Sequence, residues 1–174
     1  MEQPKSGRYQ IDAARSTVAF MSRHLITKVH GRFTEFEGVI TVADPVEGSS
    51  VDVRIQAESI TTGVKMRDKH LRSDDFMCAE AFPHLAFTSG AASRTSGAGF
   101  TLEGVLTIRG IAKPVTLAGT YGGTGSGDRL LATATVTIDR YDWDMTWSDK
   151  VETGGIMVGR KVEISIDVDA VKIP

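Results

Sequence analysis

Cysteine, long apolar runs and an excess of either charge are what this chain of 174 residues has little of. Each shortage narrows what it can do. The lone cysteine, Cys78, excludes an internal disulfide and is compatible with a reducing compartment. No stretch reaches the roughly 18 consecutive apolar residues of a membrane-crossing helix, so no membrane span is expected. A formal net charge of −2 leaves no basic footprint for nucleic acid. The opening Met1-Glu2-Gln3-Pro4-Lys5-Ser6-Gly7 lacks the apolar core of a secretory signal, and a cytoplasmic location is expected. The histidines, His24, His30, His70 and His84, lack the close spacing of a metal site, so neither a metal nor another cofactor is expected. Gly122-Gly123-Thr124-Gly125-Ser126-Gly127 lacks the Lys-Ser/Thr ending of a phosphate loop and reads as a turn. Cys78 with His70 or His84 reads as packing rather than as a nucleophile with its base.

What the chain does have is a period of two. Val51, Val53, Ile55 and Ala57 alternate with Asp52, Arg54, Gln56 and Glu58. Leu102, Leu106 and Ile108 alternate with Thr101, Glu103, Thr107 and Arg109, with Val105 breaking the rhythm. Leu130 to Ile138 and Val162 to Val168 repeat the pattern. Successive strand side chains point to opposite faces, so one face is packed and the other is wet, as in an antiparallel sheet. Breaker clusters divide the chain into strands at 16–26, 32–43, 50–58, 84–92, 100–109, 114–121, 130–140 and 157–170. The expected fold is all-β, one domain over 1–174: an eight-stranded antiparallel up-and-down barrel, or a sandwich. Within the 59–83 connection, Ser73-Asp74-Asp75 reads as the start of a short helix closed by Pro83.

If the strands run up and down, the connections at 27–31, 59–83, 110–113 and 141–156 share one end. Both long connections are among them, so one end is a decorated mouth and the other a floor of tight turns. Parity then places side chains. The inward set of the first strand, Val18, Phe20 and Ile26, brings His24 with it. Phe36, Ile40 and Val42 bring Arg32, and Leu130 to Ile138 lead to Arg140. Three cationic-capable groups above an apolar tube suit a polar head with a hydrocarbon tail; the alternative is solvated strand ends. Gly38, Gly104, Ala132 and Ala134 share the inward parity and leave room. A ten-carbon tail supplies roughly 8 kcal/mol before ordering costs, more than such an interior offers a sugar or nucleotide. Arg67-Asp68-Lys69-His70-Leu71 reads either as a head-group clamp or as an Arg–Asp pair pinning the connection, with Leu71 over the core. Trp143 and Trp147, with Tyr141, share a parity that lines the mouth or packs the core. Phe76 and Leu106 complete the candidate lining.

Several stretches resemble the YceI-like family of lipocalin-like polyisoprenoid-binding proteins. They are Tyr9-Gln10-Ile11-Asp12, Ser16-Thr17-Val18-Ala19-Phe20 with His24, Gly31-Arg32-Phe33 with Phe36 and Gly38, and Ser59-Ile60-Thr61-Thr62-Gly63. Arg67-Asp68-Lys69-His70-Leu71, Asp75-Phe76, Phe82-Pro83, Phe87, Gly104-Val105-Leu106-Thr107-Ile108-Arg109-Gly110, Lys113-Pro114-Val115 and Ile138-Asp139-Arg140 continue it over nearly the whole chain. Tyr9 stands where the family often has tryptophan, and Tyr141 to Trp147 departs from its glycine-containing continuation. The resemblance implies an eight-stranded barrel holding an isoprenoid lipid or similar amphiphile, often as a homodimer. Transport, storage or sequestration of that lipid is the leading expectation, and no enzyme is expected. The competing readings are an enzyme using His24 or His70 as acid or base, and an interaction protein with a solid barrel.

Overall fold

The computed structural model describes residues 3–24, 27–125, 127–148 and 158–174. Its strands are β1 (Gly7–Ile11), β2 (Thr17–His24), β3 (Thr27–Phe33), β4 (Phe36–Val42), β5 (Ser50–Gln56), β6 (Ile60–Thr61), β7 (His84–Arg94), β8 (Gly99–Ile108), β9 (Ile111–Gly123), β10 (Arg129–Asp139) and β11 (Val158–Ile173). One helix, α1 (Lys65–Arg72), lies in the connection before β7. All pairings are antiparallel. The order β1-β4-β5-β7-β8-β9-β10-β11 closes on itself through β11 and β1, while β2, β3 and β6 continue beside the other half of β11.

The eleven strands among the described residues therefore make an eight-stranded closed barrel, because three of its staves are broken. β1 with β2, β3 with β4, and β5 with β6 each run as one stave with a kink. The first kink is held by charge. Arg129 donates to Asp169 at 2.5 Å and to Asp12 at 2.8 Å, and Arg15 reaches Asp169 at 2.8 Å. The hydrogen bond from Arg129 holds the Asp12 carboxyl below its ordinary range.

Several sequence boundaries are corrected. β1 was not anticipated; five residues with two inward apolar side chains, Tyr9 and Ile11, are too short to display a period. The supposed connection 27–31 is most of β3, whose inward Gly31 hid the alternation. The stave expected over 32–43 breaks at Thr34–Glu35, so Phe33 and Phe36 both belong to the interior and Arg32 lies on the outer face. The helix precedes Ser73 rather than following it: the Ser73 hydroxyl donates to the His70 carbonyl at 2.6 Å at the helix C-terminus. Residues 65–72 carry only two apolar side chains, Met66 and Leu71, so no helical period shows. The hairpin joining β8 and β9 turns on Arg109 and Gly110, both at positive φ, and strand pairing resumes at Ile111.

Candidate binding cavity

The barrel's waist and its ends differ in how their inward side chains are surrounded. At the end bearing α1, Ile60, Ile108, Ile138, Trp143 and Met145 are buried. At the opposite end Tyr9, Leu130 and Ala170 are buried as well. Between them, Phe20, Val53, Val115, Val136, Ile164 and Ile166 face inward by strand parity yet remain half-buried. A closed barrel whose inward side chains are still accessible is hollow. The space is an apolar cavity of about 670 Å³ running nearly the length of the barrel.

Glycines shape this lumen, though not by standing empty. The ring of Phe20 lies over its cross-strand partner Gly31, and that of Phe100 over its partner Gly119. A Cβ on Gly104 would come within 2.8 Å of the Phe87 ring. Three phenylalanines thus lie flat against the wall where only glycine permits it. At Gly38 the space is likewise taken, by Ile11 and Val53.

The α1 end carries one set of polar groups. Asp68 is buried and anchors the helix: its carboxylate accepts from the Thr62 amide at 2.7 Å, the Thr62 hydroxyl at 2.6 Å and the Thr61 hydroxyl at 3.2 Å. Burial pushes its pKa up, but those hydrogen bonds outweigh burial and the net shift is downward. The anticipated Arg67–Asp68 pair is replaced by this threonine clamp. Arg67 instead donates to the Thr62 hydroxyl at 2.7 Å and its carbonyl at 3.1 Å, and its side chain lines the cavity. His70 lines it too, with Nε2 at 2.8 Å from Asp75 and its ring edge-on to Trp147, centroids 4.4 Å apart. Phe76 closes this aromatic cluster against both.

Arg140 is buried and borders the cavity. Its Nε donates to the Gly159 carbonyl at 2.9 Å and its Nη1 to the Met145 carbonyl at 2.5 Å. The guanidinium lies 5.7 Å from the Phe76 ring and 5.1 Å from that of Tyr141. Burial lowers its pKa, partly offset by Tyr141 and Asp139. Arg140 thereby ties the start of the last connection to β11.

Of the residues singled out from sequence, Phe20, Phe36, Arg67, His70, Leu71, Phe76, Leu106, Ile138 and Arg140 are brought together around the cavity. Arg32 is exposed on the outer wall, because the stave breaks behind it. Trp143 is core rather than lining. It sits in a 3-10 turn, Arg140–Trp143, where strand parity no longer holds, and its indole donates to the Leu106 carbonyl at 3.0 Å. The His24 side chain, with Ile26, lies outside the described residues. Arg109 was missed: by sequence an outward residue at the end of the strand 100–109, it donates to the Phe76 carbonyl at 2.7 Å and to that of Asp74, holding the connection over the barrel end. The opposite end is not closed by turns alone. Gln3 and Pro4 border the cavity there, and Arg94 donates to Gln3 at 2.5 Å.

The wall is interrupted beside α1. β3 pairs with β6 only at Arg32 and Phe33, so among the described residues no strand continues the wall beyond Thr27–Gly31 on that side. Val29, Ser22 and Arg23 of the β2–β3 hairpin and Arg67, His70 and Leu71 of α1 border the cavity at this interruption.

A closed antiparallel barrel with a hollow apolar lumen and a helix over one end defines a lipocalin-like barrel. The chain belongs to the YceI-like domain family, which it matches over residues 9–170. It is similar to a UPF0312 protein of Pseudomonas putida strain W619, 30% identical, covering 98% of this chain and 89% of the relative. Its fold is that of Burkholderia cenocepacia BcnA (TM-score 0.84, 23% identity, 92% of this chain and 99% of that one). It is also that of a Saccharophagus degradans domain described as polyisoprenoid-binding and implicated in plant cell wall breakdown. That match has a TM-score of 0.74 at 14% identity, over 97% of this chain and all of the other.

Proposed function

We propose that the protein binds the hydrocarbon chain of an isoprenoid or similar amphiphilic lipid in its lumen and carries, stores or sequesters it. The observation that supports this most is the waist, where inward apolar side chains that pack against the core remain partly exposed to the cavity. At about 30 Å³ per water-sized group, the cavity offers room for on the order of 20 non-hydrogen atoms. A sugar or nucleotide of that size would leave most of its polar groups without partners there, at about 1–3 kcal/mol each. A hydrocarbon chain gains about 0.8 kcal/mol for each methylene it buries. The description of the Saccharophagus domain agrees with such a ligand.

In this reading Phe20, Phe36, Leu71, Phe76, Leu106 and Ile138 hold the chain, and Arg67 and His70 meet the polar head at the interruption beside α1. Arg140 is a positioning residue that keeps Phe76 and the 140–147 segment in place. The protein acts by binding rather than by catalysis; the His70–Asp75 contact serves to orient the imidazole toward the lumen. Organic extraction of the purified protein followed by mass spectrometry tests the proposal. It should release an amphiphile with a long apolar chain, and the stripped protein should bind prenols with affinity that rises with length and levels off near 20 carbons. No released lipid and no binding of any prenol would overturn it. Turnover of a bound prenyl ester or phosphate would favour the catalytic alternative at His70.

A further inference from the structure

Charge is distributed unevenly over this barrel. β2, β3 and α1 carry Arg23, Lys28, Arg32, Lys65, Arg67, Lys69 and Arg72 against the single carboxylate of Asp68, in a chain whose totals are 20 basic and 22 acidic residues. Asp68 is buried and engaged by Thr61 and Thr62, so it does little to offset the surface. Arg23, Lys28, Arg32, Lys65 and Lys69 are exposed, and among the described residues none of them is in an ion pair. The acidic residues that flank these elements along the chain are Asp12, Glu35, Glu58, Asp74 and Asp75, of which Asp75 faces His70, and Glu163 of β11 is the cross-strand partner of Met21.

Within this basic edge stands exposed apolar surface. Met66 is 85% exposed and Val64 47% exposed, the two largest values for a large hydrophobic side chain among the described residues. Both lie where the chain leaves β6 for α1, and Thr61 of β6 is the cross-strand partner of Arg32. The other face of the same helix presents Arg67, His70 and Leu71 to the cavity. One eight-residue helix therefore has a lumen-facing side and an outer side of Lys65, Met66 and Lys69.

We propose that this edge docks on an anionic lipid surface, with Met66 and Val64 entering the interface and Lys28, Arg32, Lys65 and Lys69 meeting its head groups. The cavity would load and unload there. The proposal rests on the lipid-binding reading above and adds the source of the ligand. Its physical basis is twofold. Each methylene passed through water is disfavoured by about a factor of four, so contact between the interrupted wall and a bilayer removes most of the barrier to exchange. Stable attachment to a surface takes two signals together, apolar insertion and basic residues, and both are present on one helix.

Sedimentation with vesicles of phosphatidylcholine, with and without phosphatidylglycerol, tests this. The protein should partition onto the anionic vesicles and be released by salt. Lys65→Ala/Lys69→Ala should lower the partition coefficient on the order of 10-fold or more, and Met66→Ser should lower it several-fold. Both variants alter exposed side chains, and both should take up a fluorescent prenol from detergent micelles as well as the unaltered protein does. Equal binding to neutral and anionic vesicles, binding to neither, or an unchanged partition for the lysine variant would overturn the docking proposal. Failure to take up prenol from micelles would overturn the lipid reading instead, whatever the vesicles show.

Discussion

The waist of the barrel and its two ends are built from the same staves, yet their inward side chains live in different surroundings. On β10, Leu130, Ala134, Val136 and Ile138 all border the cavity, but Leu130 and Ile138 at the two ends are buried while Ala134 and Val136 between them are half-buried. The ends also hold the directed interactions: Asp68 on Thr61 and Thr62, Arg140 on two carbonyls, and Arg129 between Asp12 and Asp169. The difference teaches a division of labour, in which the ends hold the fold and the waist is left unfilled for a ligand. An interior filled along its whole length would be expected to show the same burial throughout.

That contrast breaks most severely at the α1 end. Trp143→Ala removes a fully buried ring and its hydrogen bond to Leu106, and should cost about 3–5 kcal/mol in a denaturant titration. A milder loss would mean that the end collapses around the gap. Ile108→Ala beside it, a side chain only 3% exposed, should cost about 2–5 kcal/mol, while Ile164→Ala at the waist should cost about 1 kcal/mol, since its side chain is only half-buried. Equal costs would place the waist in the packed core. Asp68→Ala should cost about 1–3 kcal/mol by leaving the Thr62 amide without its partner.

Acid should act on the same groups. Asp12, Asp68 and Asp139 have folded-state pKa values below their ordinary ones, so the native state binds fewer protons than the unfolded chain. Their contribution is present above the ordinary carboxylate pKa of about 4 and is lost as pH falls through the lowered values. Denaturation midpoints should therefore hold from neutral pH to about 5 and drop below about 4; a rise on acidification would contradict this. The smallest effect is expected for Arg32→Ala, within about 0.5 kcal/mol of the unaltered protein. Its prenyl phosphate and prenol affinities should both be unchanged, because Arg32 lies outside the lumen.

How much of this was legible in the sequence follows from how each element announces itself. The long staves β8, β10 and β11 read directly, because their alternation is carried by many side chains and needs no knowledge of partners. The broken staves did not. A kink at Thr34–Glu35 reverses parity without leaving a glycine or proline to mark it, and so Arg32 was assigned to the wrong face. The helix escaped because its amphipathicity is between lumen and water, with arginine and histidine on the inward side. Arg67, His70 and Leu71 were legible as a group, whereas the threonine clamp on Asp68 was not, since hydroxyl partners six and seven residues away leave no spacing signal. The hollow waist was undecidable from alternation, which is identical for a filled and an empty barrel.

The most direct test fills the waist and leaves the ends alone. Ala134→Trp projects an indole into the lumen from the middle of β10. Prenol titration and the denaturation midpoint of this variant should be measured beside those of the unaltered protein. The midpoint should be held or raised and the affinity lowered at least on the order of 10-fold, about 1.4 kcal/mol. A midpoint that falls while prenol affinity is unchanged would contradict a hollow, lipid-binding waist, for it would mean that the waist is packed and the lipid binds elsewhere.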